Sequence, residues 1–417
     1  MVNRKIKVLW FSNLAFSNDE LRSTGTWLHT MALNLVHSDE VELYNISQGK
    51  VKSVTRQNSG AIGQWLVPFD RLKNGLPSSS TICAIQKVVE SLQPDLIHIW
   101  GTENYWGLLT ARGYIKGNAV LEIQGLKLAI HKYFYSGLSI LDIIRCFGIK
   151  EFVKPSVSLF YLKKSYKKWG EFEKEMMRNH SFISTQSDWV RAYVRSVASE
   201  SKIIHTSLSL RKEFIEGKKW DVANCVEYQI FTSSASVTSY KGLHILLDAV
   251  SILKIRFPQV KLIIGGNDVK GIKQGGYAKW LKKKIINLGI ENNVRWIGSL
   301  DAKNMVLQMH QANVVVIPSF IESYCLALDE ALTLGLPVVA AFSGAMPELA
   351  VHEKTALFFP PGDSIMCANC IERFFGDKEY SKNIAENAYH AKKYIKGSDV
   401  GEVQLTIYRN ILKEVNE

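Results

Sequence analysis

Two glutamates with seven residues between them, Glu322 and Glu330, are the residues of this 417-residue chain whose spacing most directly suggests chemistry. They follow the run Val314-Val-Val-Ile-Pro318, a buried strand, on a short loop that carries Glu322 and a helix that Gly335 ends. The loop falls at the carboxyl end of a parallel strand, the edge where open α/β sheets bind ligands. The helix N-terminus there offers backbone N–H groups and a positive dipole end, which suits a diphosphate. The helical rise separates the two carboxylates by ~12 Å along the axis. That span is comparable to the distance between the two sugar rings of a nucleotide-sugar. Acidic acceptors on either side of a phosphate site can hold hydroxyls of both rings. The competing reading is an ordinary solvated helix face.

The elements that must position this pair follow from periodicity. Short apolar β-rich runs alternate with helical patterns, which predicts parallel sheets with crossover helices. In the first half the strands are expected at Ile6–Phe11, Val41–Ile46, Leu96–Trp100, Val120–Ile123 and Phe182–Ser184. In the second half they are expected at Tyr228–Phe231, Lys261–Ile264, Val294–Ile297, Val314–Pro318 and Val338–Ala341. Helices fit at Thr26–His37, Ser80–Ser91, Gly242–Phe257 and Gly276–Leu288. The length suits two domains: residues 1–205 and 206–397, with the terminal helix 398–417 folding back onto the first. His98 lies inside a strand and reads as a core histidine.

A segment from Leu126 to Ser181 breaks this rhythm. It holds eleven Lys and Arg against five Asp and Glu, half of the net charge of +12, interleaved with aromatics. Lys163, Lys164, Lys167 and Lys168 share one side of a helix. Two readings stand: a solvated face over a helical excursion of the first domain, or contact with an anionic membrane surface or a lipid-linked acceptor. No apolar run reaches the roughly 20 residues of a membrane-spanning helix, and the apolar start Ile6–Phe11 is too short for a signal-peptide core. Cytoplasmic residence is expected, with attachment to the inner face of the membrane as the variant. Nucleic acid is not expected as a partner, because the basic residues accompany no reading element. No G-x-G-x-x-G follows a strand, which argues against a dinucleotide oxidoreductase. Of six scattered cysteines only Cys367 and Cys370 form a CxxC, which reads as helix packing.

In its strand–loop–helix setting the Glu322/Glu330 pair resembles the EX7E motif of retaining glycosyltransferase family 4. Further segments agree in order along the chain. Lys241-Gly242 precedes a helix, as in the family's KG segment. Pro258 to Gly266 resembles its next strand and glycine turn, and Val294 to Gly298 the loop beside the base. Gly344-Ala-Met-Pro347-Glu348 resembles the GxPE turn. The specific likeness runs from Phe231 to Gly362. It implies the GT-B fold, two Rossmann-like doubly wound domains facing a central cleft.

The resemblance also implies roles. Lys241 offsets the donor diphosphate charge and Glu322 binds sugar hydroxyls near the reacting face. The backbone of Ser323, Tyr324 and Cys325 holds phosphate oxygens, and Glu330 takes the ribose hydroxyls. Gly266 and Gly298 border the donor. Gly25, Glu103 and Gln124 are the candidates on the acceptor side. No cofactor and no metal are implied, and the chain has no Asp-x-Asp. The expected function is retaining transfer of a hexose from a nucleotide-sugar to a saccharide or lipid-linked saccharide, as in cell-surface polysaccharide biosynthesis. The alternatives are a nucleotide-sugar epimerase on the same fold or a basic nucleic-acid-binding protein. Two positions depart from the family: Ser236 stands where an arginine is common, and Gln124 where a histidine is common.

Overall fold

The computed structural model describes residues 4–16, 26–234, 237–266, 275–393 and 400–417. The chain forms two compact units. Met1–Leu128, Lys167–Ser209 and Ser398–Glu417 make the first, and Ala129–Tyr166 with Leu210–Gly397 make the second.

The first unit is built on eight strands: β1 Ile6–Phe11, β2 Val41–Gln48, β3 Thr55–Ser59, β4 Ile62–Val67, β5 Leu96–Trp100, β6 Ala119–Glu122, β7 Phe182–Thr185 and β8 Lys202–His205. Their order is β3-β4-β2-β1-β5-β6-β7-β8. All pairings are parallel except β3 with β4. Strand β5 is buried at every position, as a strand covered on both faces must be. The strands missing from the sequence reading here are β3, β4 and β8. Edge strands β3 (Thr-Arg-Gln-Asn-Ser) and β8 are largely uncovered, so they carry no buried apolar run.

His98 is fully buried on β5, and its Nδ1 lies 2.8 Å from the Tyr408 hydroxyl. The same hydroxyl accepts from Trp10 Nε1 at 3.0 Å. Tyr408 belongs to the terminal helix Val400–Asn416, so this polar knot ties the chain's last helix to the first sheet. Burial lowers the His98 pKa, opposed by Glu122, whose carboxylate stands 3.7 Å from Nε2. A neutral ring accepts the tyrosine proton at Nδ1.

The second unit has a six-stranded, all-parallel sheet: β9 Gln229–Ser234, β10 Lys261–Gly266, β11 Val294–Gly298, β12 Val314–Ile317, β13 Val338–Ala341 and β14 Leu357–Phe359. The order is β11-β10-β9-β12-β13-β14. Strand β14 is too short to show in the sequence as an apolar run of its own. From β9 the chain steps outward through β10 and β11, then returns to the other side as β12. The topological switch point therefore lies between β9 and β12, where such sheets open a crevice at their carboxyl ends. Cys367 and Cys370 are buried free thiols in the helix Ser364–Gly376.

The basic excursion, expected above as part of the first domain, is divided instead. Residues 129–166 pack with the second unit. His244 explains part of this. Its Nε2 reaches the Ser136 carbonyl at 3.2 Å, and its Nδ1 lies 2.8 Å from the Tyr277 hydroxyl. Burial, then the nearby Lys284 charge, lower this histidine to about 4, so it is neutral and donates through Nε2. Trp280 Nε1 adds a bond to Asp142 at 3.2 Å, and Phe134 packs on Tyr240. Each anchor lies more than a hundred residues from its partner in the excursion, so local composition could not reveal it.

Tyr408→Phe should cost about 2 kcal/mol, because it leaves buried Trp10 and His98 nitrogens without a partner while preserving the ring packing. Urea denaturation monitored by tryptophan fluorescence measures this, and an unchanged midpoint would contradict the role of the knot.

Candidate functional site

Strands β9 and β12 each release a loop at the switch point. The β9 loop turns through Ser239–Lys241, and the β12 loop carries Glu322. The Lys241 ammonium lies 2.7 and 3.0 Å from the two Glu322 carboxylate oxygens. Burial favours a neutral amine, but the Glu322 charge and hydrogen bond outweigh it, so the Lys241 pKa is raised and the group stays cationic.

Close backbone packing sets this pair. Gly242 has φ +71°, and a Cβ there would sit 1.9 Å from the Pro318 carbonyl oxygen. Gly344, at φ +56°, would bring a Cβ within 2.0 Å of the Glu322 carbonyl oxygen. Each glycine lets one loop lie directly on another. Phe320 N–H then donates to the Tyr240 carbonyl at 2.8 Å, and Ala345 N–H to the Glu322 carbonyl at 2.9 Å. The KG and GxPE segments thus clamp the Glu322 loop from two sides.

Next in the chain, Cys325 adopts φ +101°, a left-handed conformation that costs a non-glycine residue on the order of 1–3 kcal/mol. This turn opens the helix Leu326–Thr333. The first N–H groups of a helix have no partner within it and carry its positive dipole end. Tyr324, beside that turn, donates its hydroxyl to Asp329 at 2.7 Å. Asp329 in turn pairs with Lys392 at 2.6 Å, both side chains nearly buried.

Glu330 is buried and accepts from Arg211 Nε at 3.0 Å and Nη2 at 2.6 Å. Burial raises its carboxyl to about 7, with Arg211 pulling the other way. Sequence reading missed Arg211, Asp329 and Lys392. Arg211 lies 119 residues from Glu330 with no local motif around it. The hydroxyl of Thr238, just before the Ser239–Lys241 turn, is buried without a hydrogen-bond partner among the described residues. Gly266 and Gly298 end the neighbouring strands β10 and β11 at the same carboxyl edge, both with positive φ. Ser236 lies outside the described residues.

In the first unit, Glu103 and Gln124 come together beyond the carboxyl ends of β5 and β6. A Cβ on Gly101 would meet the side-chain oxygens of both. Glu103 accepts from Gly125 N–H at 2.7 Å through one oxygen, and its other oxygen is buried without a partner among the described residues. Burial raises its pKa. At the switch point of this sheet, between β1 and β5, Asn13 accepts from Asn104 and from Trp106 Nε1, both at 3.1 Å. Gly25 lies outside the described residues. No three metal-ligating side chains gather among the described residues, and no described helix is long and apolar enough to cross a membrane.

Residues 216–391 match the family model described as Glycosyl transferases group 1. By sequence, this stretch of the second unit is similar to group 1 glycosyl transferases. A D-inositol 3-phosphate glycosyltransferase of Corynebacterium urealyticum is 31% identical over 158 residues, 37% of either chain. Another, from Jonesia denitrificans, is 25% identical over 173 residues, 40% of either chain. The likeness thus spans 40% or less of the length of these relatives. In three dimensions it extends further. A sucrose-phosphate synthase of Thermosynechococcus elongatus superposes with a TM-score of 0.74 over 98% of this chain and 100% of its own, at 16% identity. The HepE protein of Anabaena, solved with UDP-glucose, gives 0.67 over 99% of both chains, at 17% identity. The two units have the architecture of the GT-B fold, and the segments around Lys241-Gly242, Glu322 and Gly344 meet at the switch point of the second.

The Glu330 titration has a measurable consequence. With its folded pKa near 7 against an ordinary 4.5, the native state holds this proton more tightly than the unfolded chain. Its contribution to stability is therefore present below pH 4.5 and lost as pH rises towards 7. Between pH 5 and 8, wild type should lose on the order of 2 kcal/mol relative to Glu330→Gln. Urea titrations at both pH values test this, and parallel pH profiles for the two proteins would contradict it.

Proposed function

We propose that the chain is a retaining glycosyltransferase that moves a sugar from a nucleotide-sugar to a saccharide or lipid-linked saccharide acceptor, without a metal. The observation that carries the reading is the Lys241–Glu322 pair at the β9/β12 switch point, beside the N-terminus of the helix Leu326–Thr333. There the donor diphosphate meets a cation kept charged by its partner and the free N–H groups after Cys325. As the bond from the anomeric carbon to the diphosphate breaks, negative charge builds on the leaving oxygen. The lysine and the helix end stabilise it without having to reorganise. Glu322 then shares its carboxylate between Lys241 and hydroxyls of the transferred sugar. The acceptor hydroxyl forms the new bond to the same face of the sugar and passes its proton to the departing diphosphate oxygen on that face.

Glu330 receives the ribose hydroxyls in this reading, and Arg211 has two effects on it. It holds the buried carboxylate in place, and it supplies a positive charge near a site whose sequence lacks the family's common arginine at Ser236. Gly266 and Gly298 leave room at the edge of the sheet for the base. On the acceptor side Glu103 and Gln124 offer hydroxyl partners, and neither requires proton transfer. The HepE complex with UDP-glucose supports a UDP-sugar as the first donor to assay.

Lys241→Ala should lower kcat/KM by roughly 100-fold or more, equivalent to about 2.7 kcal/mol of lost charge stabilisation. Lys241→Arg should recover part of it. Glu322→Gln should reduce kcat more than nucleotide affinity, while Glu330→Ala should weaken UDP binding by about 1.5–3 kcal/mol. Initial-rate kinetics and titration calorimetry separate the three. Wild-type kcat/KM in Lys241→Ala, or full UDP affinity and full turnover in both glutamate variants, would overturn the assignment.

A further inference from the structure

Two short helices of the excursion are amphipathic in the unusual sense, with the apolar side facing out. In Ile140–Arg145, Ile140, Leu141 and Ile144 are 78%, 62% and 61% exposed, while Asp142 turns inward to Trp280. In Ile149–Val153, Ile149, Phe152 and Val153 are 85%, 78% and 77% exposed, while Glu151 is fully buried and caps its own helix through the Gly148 N–H. The spacings i, i+1, i+4 and i, i+3, i+4 place each trio on one helix face. Phe147 between them and Phe160 after them are also exposed. A globular surface normally shows such side chains singly, and a contiguous set of this size marks a surface that another apolar phase covers.

Charge selects that phase. The residues 129–166 hold six Lys and Arg against two acidic residues. Both acids are turned into the protein, as described for Asp142 and Glu151. Lys154, next to Val153 in sequence, and Lys164, four residues after the exposed Phe160, are themselves exposed. Aliphatic and aromatic tips with flexible ammonium groups around them match the layering of a lipid interface, hydrocarbon below and anionic headgroups above. Lys163 departs from the reading of four equivalent lysines: its ammonium lies 4.0 Å from the centre of the Tyr135 ring, so it stays with the protein.

We infer that the outward face of residues 140–160 is a membrane-docking element, which inserts its apolar side chains into the interface of an anionic bilayer while the surrounding lysines meet the headgroups. Attachment is peripheral, and it brings the second unit, with the Lys241–Glu322 site, to the lipid surface. The inference stands on surface chemistry and does not depend on the transfer reading.

The full chain is tested by co-sedimentation with vesicles of phosphatidylcholine alone and of phosphatidylcholine with phosphatidylglycerol. Wild type should pellet with the anionic vesicles and be partly released by salt, because headgroup attraction is screened. Ile149→Ser/Phe152→Ser/Val153→Ser should reduce partitioning by roughly 10-fold or more, with an unchanged unfolding midpoint because the side chains are already exposed. Lys154→Gln/Lys164→Gln should reduce binding to anionic vesicles alone. Phe152→Trp provides a readout at the site, a blue shift of the added indole emission, relative to wild type, when anionic vesicles are present. Vesicle binding that survives the triple substitution would overturn the proposal, as would no pelleting at low salt. An unshifted emission in the Phe152→Trp variant while that protein pellets would do the same. So would a concentration-dependent dimer abolished by the triple substitution, which would assign the face to a second copy of this chain.

Discussion

The salt bridge between Lys241 and Glu322 organises the second unit's carboxyl edge, and the rest of the site is arranged around it. Its partners come from the two strands that part at the switch point, β9 and β12, so neither strand alone can make it. Two glycines let the loops approach to backbone contact, and a bulkier residue at Gly242 or Gly344 would separate the loop that carries the lysine or the one that carries the glutamate. The pair lies partly in contact with solvent, with side chains 30% and 14% exposed. Such a pair adds little to stability. Its effect is positional: it joins the two loops and keeps the ammonium charged beside the Glu322 loop.

Two further cations hold the helix Leu326–Thr333 behind this edge. Lys392 pairs with Asp329, and Arg211 with Glu330. A buried ion pair is costly to desolvate, and an apolar pair of similar volume would often be as stable. Here the adjacent acids are both paired, and each cation reaches the helix from a distant part of the second unit. The raised pKa of Glu330 shows that burial is not fully offset even by a two-nitrogen contact with arginine.

The first unit handles buried charge in a related way. Glu173, fully buried, accepts from the backbone N–H groups of Lys127 and Leu128 at 3.0 and 2.7 Å and from Thr102 at 3.2 Å. Burial raises it to about 8 despite these bonds. The carboxyl therefore ties the helix Leu159–Arg178 to the point where the chain leaves β6 and enters the excursion. From that point, residues 129–166 follow the second unit and the chain then returns to the first.

Sequence alone determined the parts of this protein that depend on near neighbours. The short apolar runs and helical repeats placed β1, β5 and β13 at their observed bounds and most other strands within a few residues. The spacing of Glu322 and Glu330 on a strand–loop–helix unit was legible for the same reason, as were the KG and GxPE turns. The polar edge strands β3 and β8 were not, because a strand with little buried surface has no apolar signature. Tertiary structure alone decided which charges meet. Arg211 reaches Glu330 across 119 residues and Lys241 reaches Glu322 across 81, and for the first of these nothing in the local sequence names the partner. It also decided the allegiance of the basic excursion, through contacts of Ser136 and Asp142 with residues of the second sheet's helices. Last, it decided that Ile149, Phe152 and Val153 face outward while Glu151 faces in. Periodicity identifies the two faces of a helix, but only packing determines which of them the protein covers.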